Sequence, residues 1–308
     1  MFTGLGHAAF QVSDLEASVA HATQVLGLRE MDRIDGVTYL THGPAQPSLA
    51  YRQGRTTMLD HFALQASSFD ALDTLRTRLR EAGVTVLADG VFEPYTEATV
   101  RFSAPDGHVI EAFVPTASDS ASYGPQGHPP YLPTGVRPRH LGHVNLTAPD
   151  VGANTAFFTD VLGFRVSDTI VDESGHRIAS FLRCSPSHHT VAVMNAPAGL
   201  LHVAFGVDSM QDIVRLGDIL DSRGTGFLWG PGRHAAGDNI ATYHVDPTGV
   251  PIEFYSEMQL IFDDRWQARA WPIDDVRLAS TWRTGGDFSP LFNAAIPLAG
   301  SPELARPV

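Results

Sequence analysis

A chain of 308 residues that is 43% hydrophobic and 18% charged builds packed globular structure and is long enough for two ordinary domains. Its 21 Lys and Arg against 34 Asp and Glu leave a net charge of −13 without any basic run, which argues against nucleic acid and anionic membrane as partners. No apolar run approaches the ~18 residues of a spanning helix, and no basic, apolar, small-residue leader opens the chain, so a cytoplasmic location is expected. The single cysteine, Cys184, lacks a disulfide or CxxC partner and reads as a small buried apolar residue. Fourteen histidines are many beside 21 Lys and Arg, and imidazole is the commonest metal ligand in proteins.

In chain order, the first segment, Gly4-Leu-Gly-His7 through Asp14, leads into a helical run ending near Val25-Leu-Gly-Leu28. The same grammar returns 136 residues later as His140-Leu-Gly-His143 through Asp150 and Val161-Leu-Gly-Phe164. Leu59-Asp-His61 with Gly83 is matched by Leu201-His202 with Gly224 at an offset of 141, and Ala104-Pro-Asp-Gly-His-Val-Ile-Glu111 by Asp246-Pro-Thr-Gly-Val-Pro-Ile-Glu253 at 142. The two halves therefore read as copies separated by small insertions.

Within the first half, alternation predicts a strand over Ala8–Val12. Asp14 caps a helix running to Val25, and strands follow at 29–34, 37–42 and 48–53. A second unit starts with a strand at His61, continues with a helix over 70–82 stopped by Gly83, and adds strands at 84–87, 98–103 and 108–114. Each unit is βαβββ. The third spans Leu141–Asn195 and the fourth Gly199–Glu257. Ala117–Arg139, rich in Ser, Gly and Pro, reads as a linker. The expected division is a non-catalytic N-terminal domain at 1–118, a linker at 119–139, a catalytic metal-binding domain at 140–258, and a tail at 259–308 that folds back as a lid or an interface.

The chemistry concentrates in Gly230-Pro-Gly-Arg-His234 and Tyr243-His-Val-Asp-Pro-Thr-Gly-Val-Pro-Ile-Glu253. With His143 and His202 upstream, Glu253 completes two imidazoles and one carboxylate, the donor set of non-haem Fe(II) sites, which Zn²⁺ also accepts. His7, His61 and Glu111 hold the matching positions in the first half. The accessory groups do not repeat, since Tyr243 maps to Arg101, His234 to about Phe92 and His189 to about Ser48.

Four βαβββ units paired into two domains resemble the vicinal oxygen chelate (glyoxalase/bleomycin-resistance-like) superfamily, an α+β fold. Gly232-Arg-His234, Tyr243, Asp246-Pro-Thr-Gly249 and Glu253 further resemble the signature of the type I extradiol catechol dioxygenases. The likeness departs from that pattern at Thr242, where a larger aliphatic residue is usual, and at Leu201, where many relatives carry a histidine. It implies strand positions that line a cup and bring His143, His202 and Glu253 onto one metal, Fe(II) or else Mn(II). It also implies cleavage of a catechol beside its vicinal hydroxyls with both atoms of O₂, as in aromatic hydrocarbon catabolism. Under it, His189 stabilises bound oxygen and acts as acid/base, Tyr243 assists deprotonation of the substrate, and His234 orients the ligand. The family pattern before the strand at Thr190–Met194 selects His189, whereas a gapless count back from His202 selects His188; side chains alternate, so only one of the pair faces the cup.

Two other readings fit the same scaffold: another metal-dependent enzyme (hydroquinone-type ring cleavage, an isomerase or a lyase), or a non-catalytic protein that binds an aromatic ligand. The partners expected are a small aromatic catechol, O₂ and further copies of the chain as a homo-oligomer.

Overall fold

The structure is a computed structural model that describes residues 1–43, 46–116, 134–284 and 286–300. The first half runs β1 (Phe2–Val12), α1 (Leu15–His21), β2 (Arg29–Ile34), β3 (Val37–Thr41), β4 (Leu49–Gln53), β5 (Met58–Ala66), α2 (Phe69–Glu81), β6 (Val86–Gly90), β7 (Thr96–Ser103) and β8 (Val109–Pro115). The second runs β9 (His140–Ala148), α3 (Val151–Ala156), β10 (Arg165–Val171), β11 (Arg177–Arg183), β12 (Val191–Asn195), β13 (Gly199–Gly206), α4 (Met210–Asp221), β14 (Trp229–Arg233), β15 (Ile240–Val245) and β16 (Pro251–Ser256). These are four βαβββ units, two per half.

Each half is one mixed sheet. The orders are β2-β3-β4-β1-β5-β8-β7-β6 and β14-β15-β16-β13-β9-β12-β11-β10. The two first strands of each half, β1 with β5 and β9 with β13, pair antiparallel at the centre. The last strand of each unit returns parallel beside its first, as β4 does to β1 and β16 to β13. One sheet face is covered by helices. In α2, Leu72, Leu75 and Leu79 recur at helical spacing and are fully buried, each contributing roughly 2 kcal/mol. The apolar core is continuous across both halves, through Phe10, Phe62, Phe158 and Phe205. Ser18 Oγ donates to Asp246 Oδ2 at 2.6 Å and Asn154 Nδ2 to Asp106 Oδ2 at 2.6 Å, so each half's first helix docks on the other half's final turn.

The expected cap at Asp14 forms, accepting from Ala17 N; its repeat match Asp150 does the same from Ala153 N, and Ser209 and Asp212 form a capping box at the start of α4. Helix ends differ from expectation: the run to Val25 ends as a π-turn over Ala22–Leu26, repeated at Phe157–Val161. The strand expected at 84–87 lies at Val86–Gly90, because Val84 N still bonds Leu79 O beyond the left-handed Gly83. The tail adds β17 (Arg269–Pro272) parallel to the edge strand β10, a short helix α5 (Ser289–Asn293), and β18 (Ile296–Pro297) against β13. Of the expected linker, residues 117–133 with His128 lie outside the described residues, as do 301–308 of the tail. Among the described residues no helix is long and apolar enough to cross a membrane.

Candidate metal centre

The order β15-β16-β13-β9 places Tyr243, Glu253, His202 and His143 on four successive strands. Glu253 pairs across to Tyr243 on one side and Ala204 on the other, and Ala204 pairs with His143. His202, two residues before Ala204 and paired with Asn145, shares that face by strand alternation. His143 Nε2 and His202 Nε2 then lie 3.3 Å apart, and Glu253 Oε2 lies 3.1 Å and 2.8 Å from them. Three ligand atoms about 3 Å apart match the edges of a coordination sphere with bonds of about 2.1 Å. All three residues are at most 2% exposed. Burial would raise the Glu253 carboxyl, but the His143 and His202 imidazoles outweigh it and hold it well below the usual carboxylate range. Burial lowers His143, favouring the neutral imidazole that ligates metals.

Tyr243, His234 and His189 border the same cavity, of about 650 Å³. His234 Nδ1 lies 2.8 Å from the Ala279 carbonyl and Nε2 2.9 Å from Tyr243 Oη. A carbonyl only accepts, so Nδ1 carries the proton and Nε2 accepts from the Tyr243 hydroxyl. Burial, then the neighbouring Glu253, pushes Tyr243 well above the usual phenol range. The His189 ring lies 4.1 Å from that of His143. Burial and then His143 push His189 well below the usual histidine range. His188, fully buried, turns away from the cavity toward Asp168, with its Nδ1 3.0 Å from His189 Nδ1. The register equates His189 with Pro47 rather than Ser48, since Val191 pairs with Val144 as Leu49 pairs with Ala8.

Several contributors carry no sequence signal of their own. Asn239 is 1% exposed and its Nδ2 donates to Glu253 Oε1 at 3.0 Å. Tyr255 packs its ring 5.2 Å from that of His143 and sets Oη 3.0 Å from His140 Nε2. That approach requires Gly142, where a Cβ would meet Tyr255 Oη at 1.9 Å. The tail closes the cavity with Val276, Leu278, Phe288 and Leu291. Phe288 stacks on Trp229 at 4.5 Å, and Trp229 on His234 at 5.1 Å. Trp271 Nε1 donates to Asp168 Oδ2 and anchors the tail to β10. His244 faces away from the cavity and meets His21 of the first half, Nε2 to Nε2 at 3.1 Å.

The first half brings together a second set, with His7 Nε2 3.1 Å from His61 Nε2 and Glu111 oxygens 3.9 Å and 3.8 Å from the two. Arg101 stands opposite Glu111 in the register that Tyr243 holds opposite Glu253, and its Nε donates to Glu111 Oε2 at 2.9 Å.

The chain belongs to the glyoxalase/bleomycin resistance protein/dioxygenase superfamily, whose model matches residues 4–112 and again 140–254. Among curated proteins it is 27% identical to a manganese-dependent 2,3-dihydroxybiphenyl 1,2-dioxygenase of Geobacillus genomosp. 3, over 90% of this chain and 92% of the relative. It is 29% identical to a metapyrocatechase of Pseudomonas sp. (strain CF600), over 79% and 82%. Among solved structures it resembles the 2,3-dioxygenase LapB of Pseudomonas sp. KL28, with TM-score 0.82 and 26% identity over 89% and 100% of the two chains. The Mn(II)-bound glyoxalase of Novosphingobium aromaticivorans gives TM-score 0.83 and 27% identity over 99% and 97%.

Proposed function

We propose that the chain is an extradiol dioxygenase that opens a catechol next to its vicinal hydroxyls with O₂. The observation that carries this reading is the placement of Tyr243, His234 and His189 around the His143, His202 and Glu253 ligand atoms, when the first half repeats the ligands without those three groups. Relatives named as extradiol dioxygenases, both iron- and manganese-dependent, support it. Fe(II) is the cofactor proposed, with Mn(II) as the alternative, and His143, His202 and Glu253 would hold it.

When bound, that ion brings catechol and O₂ together and passes electron density between them. The residues do the rest. Tyr243 donates a hydrogen bond to His234 Nε2, so an oxygen lone pair is left to accept a hydrogen bond from a substrate hydroxyl and polarise it towards deprotonation. His234, held by the Ala279 carbonyl, keeps that oxygen in place. His189, neutral when buried, is the acid/base; with Nδ1 against His188, its Nε2 is left for the cavity. His188 lies behind it, and this supports His189 as the catalytic member of the pair. The apolar tail side chains exclude water from the aromatic ring.

On this reading residues 140–258 form the catalytic domain, 1–118 a non-catalytic partner and 119–139 the connection, and the described part of the tail, 259–300, supplies the lid. The exposed tail side chains Leu260 and Phe262 support a homo-oligomer, and unpaired Cys184 supports a cytoplasmic setting. A second reading, metal chemistry without O₂, is favoured by the likeness to the Mn(II)-bound glyoxalase. A panel of catechols and hydroquinones offered to metal-loaded protein separates the two. Oxygen uptake with a yellow ring-opened product from a catechol is expected, and turnover without oxygen uptake would favour the second reading.

A further inference from the structure

We propose that the cup of the first half is a latent second site for a divalent cation, kept closed by the guanidinium of Arg101. Its ligand atoms are already assembled. His7, His61 and Glu111 are at most 4% exposed, and their facing atoms lie between 3.1 Å and 3.9 Å apart. His61 Nδ1 lies 2.7 Å from Asp60 Oδ1, and a carboxylate only accepts, so that nitrogen carries the proton and the lone pair of Nε2 points inward. A carboxylate behind the outer nitrogen is the arrangement that supports metal-binding imidazoles. Glu111 Oε1 is buried and has no hydrogen-bond partner, which leaves acceptor capacity facing His7.

What fills the remaining space is Arg101. Its Nε donates to Glu111 Oε2 at 2.9 Å, Nη2 lies 3.2 Å from His61 Nε2, and Nη2 also donates to Glu93. A guanidinium has donors and no lone pair, so it occupies the carboxylate and the imidazole that a metal would need, and it supplies the positive charge a buried carboxylate requires. In the second half the same register position is Tyr243, which carries no charge and is held by His234, leaving Glu253 Oε2 to the imidazoles. The free volumes follow the same difference: about 40 Å³ beside Arg101 and about 650 Å³ beside Tyr243. With Asp60, Glu93 and Glu111 around it, a cup without the guanidinium has net negative charge and complete ligands for a divalent first-row ion. The inference shares with the proposed function only the expectation that the second half binds metal.

Equilibrium dialysis of the full chain against Mn²⁺, followed by metal analysis, tests it with four proteins. The expected contents per chain are one for wild type, two for Arg101→Met, none for Glu253→Gln and one for the double variant. Wild type holding two ions, or Arg101→Met holding no more than wild type, would overturn the latent site. Wild type holding none would instead overturn the metal assignment of the second half, and a gain of one in Arg101→Met would still support the latent site. If Arg101→Met unfolds, Arg101→Gln is used and Tm is followed against Mn²⁺ in the Glu253→Gln background. A Tm that rises with Mn²⁺ supports the proposal, and a Tm indifferent to it contradicts the proposal.

Discussion

Asn239 Nδ2 donates to Glu253 Oε1 at 3.0 Å while Glu253 Oε2 faces both imidazoles, so the amide fixes which carboxylate oxygen is offered to an ion. Asn239→Ala is expected to weaken Mn²⁺ or Fe²⁺ binding by about 10–100-fold, the usual cost of losing an outer partner. Competition against a coloured chelator measures it. An unchanged affinity would mean that the carboxylate is oriented by its imidazoles alone.

Glu253→Ala and His189→Ala should separate binding from turnover. The first removes an anionic ligand and is expected to lose the metal. The second is expected to keep the metal and the catechol while kcat falls by about 10²–10⁴-fold, the range for an acid/base. Anaerobic catechol titration with metal analysis checks both. Normal metal content in the Glu253 variant would show that the ligand set is wrong.

Tyr243→Phe preserves a ring that is 3% exposed and removes the hydroxyl that pairs with His234. Stability should fall by about 1–3 kcal/mol through the orphaned imidazole. The kcat/KM for catechols should fall further than stability explains, and more acidic, electron-poor catechols should recover part of it. Equal losses across a series of catechol acidities would contradict the role in deprotonation.

The contact between His21 and His244 ties stability to pH. Burial is the main cause that brings His21 down to about 4, against a raising effect of Asp246, and it also pushes His244 well below the ordinary value, with His21 itself contributing. Arg223, near His21, acts in the same lowering direction. Unfolded histidines titrate near 6.5, so below that pH the unfolded chain binds protons that the folded chain refuses. Stability is full above pH ~6.5 and falls towards pH ~4, by on the order of 1 kcal/mol per pH unit per histidine. Urea midpoints between those limits measure the slope, which His21→Gln should reduce.

Phe288 connects the tail to the chemistry, stacking on Trp229 and lying 5.9 Å edge-on to Tyr243. Phe288→Ala is expected to raise KM for aromatic substrates by about fivefold, in keeping with ~1 kcal/mol for an aromatic pair, with metal content unchanged. A KM that stays constant would place the ring outside the substrate's reach.

Much of this was legible in the sequence because the repeat is. The spacing between His7 and His143, between His61 and His202, and between Glu111 and Glu253 displays two copies of one sheet, and Asp14 marks a helix start by its cap. What stayed hidden depends on contacts between segments distant in the chain. Asn239 reads as a loop residue until β15 turns it onto Glu253, and Tyr255 as core until Gly142 lets it approach His140. The tail has no periodicity to declare itself, since it gains its structure by adding β17 to β10 and by setting Phe288 on Trp229. That His189 borders the cavity while His188 is directed to Asp168 depends on how the segment before β12 turns, which strand alternation does not give.

The most direct test of the account is the mass of the product that metal-loaded protein forms from a catechol under ¹⁸O₂, trapped at once by reduction to prevent exchange with water. An extradiol dioxygenase gives a ring-opened product carrying both atoms of one O₂ molecule, absent from Glu253→Ala. A product carrying one labelled oxygen, or none, would contradict it.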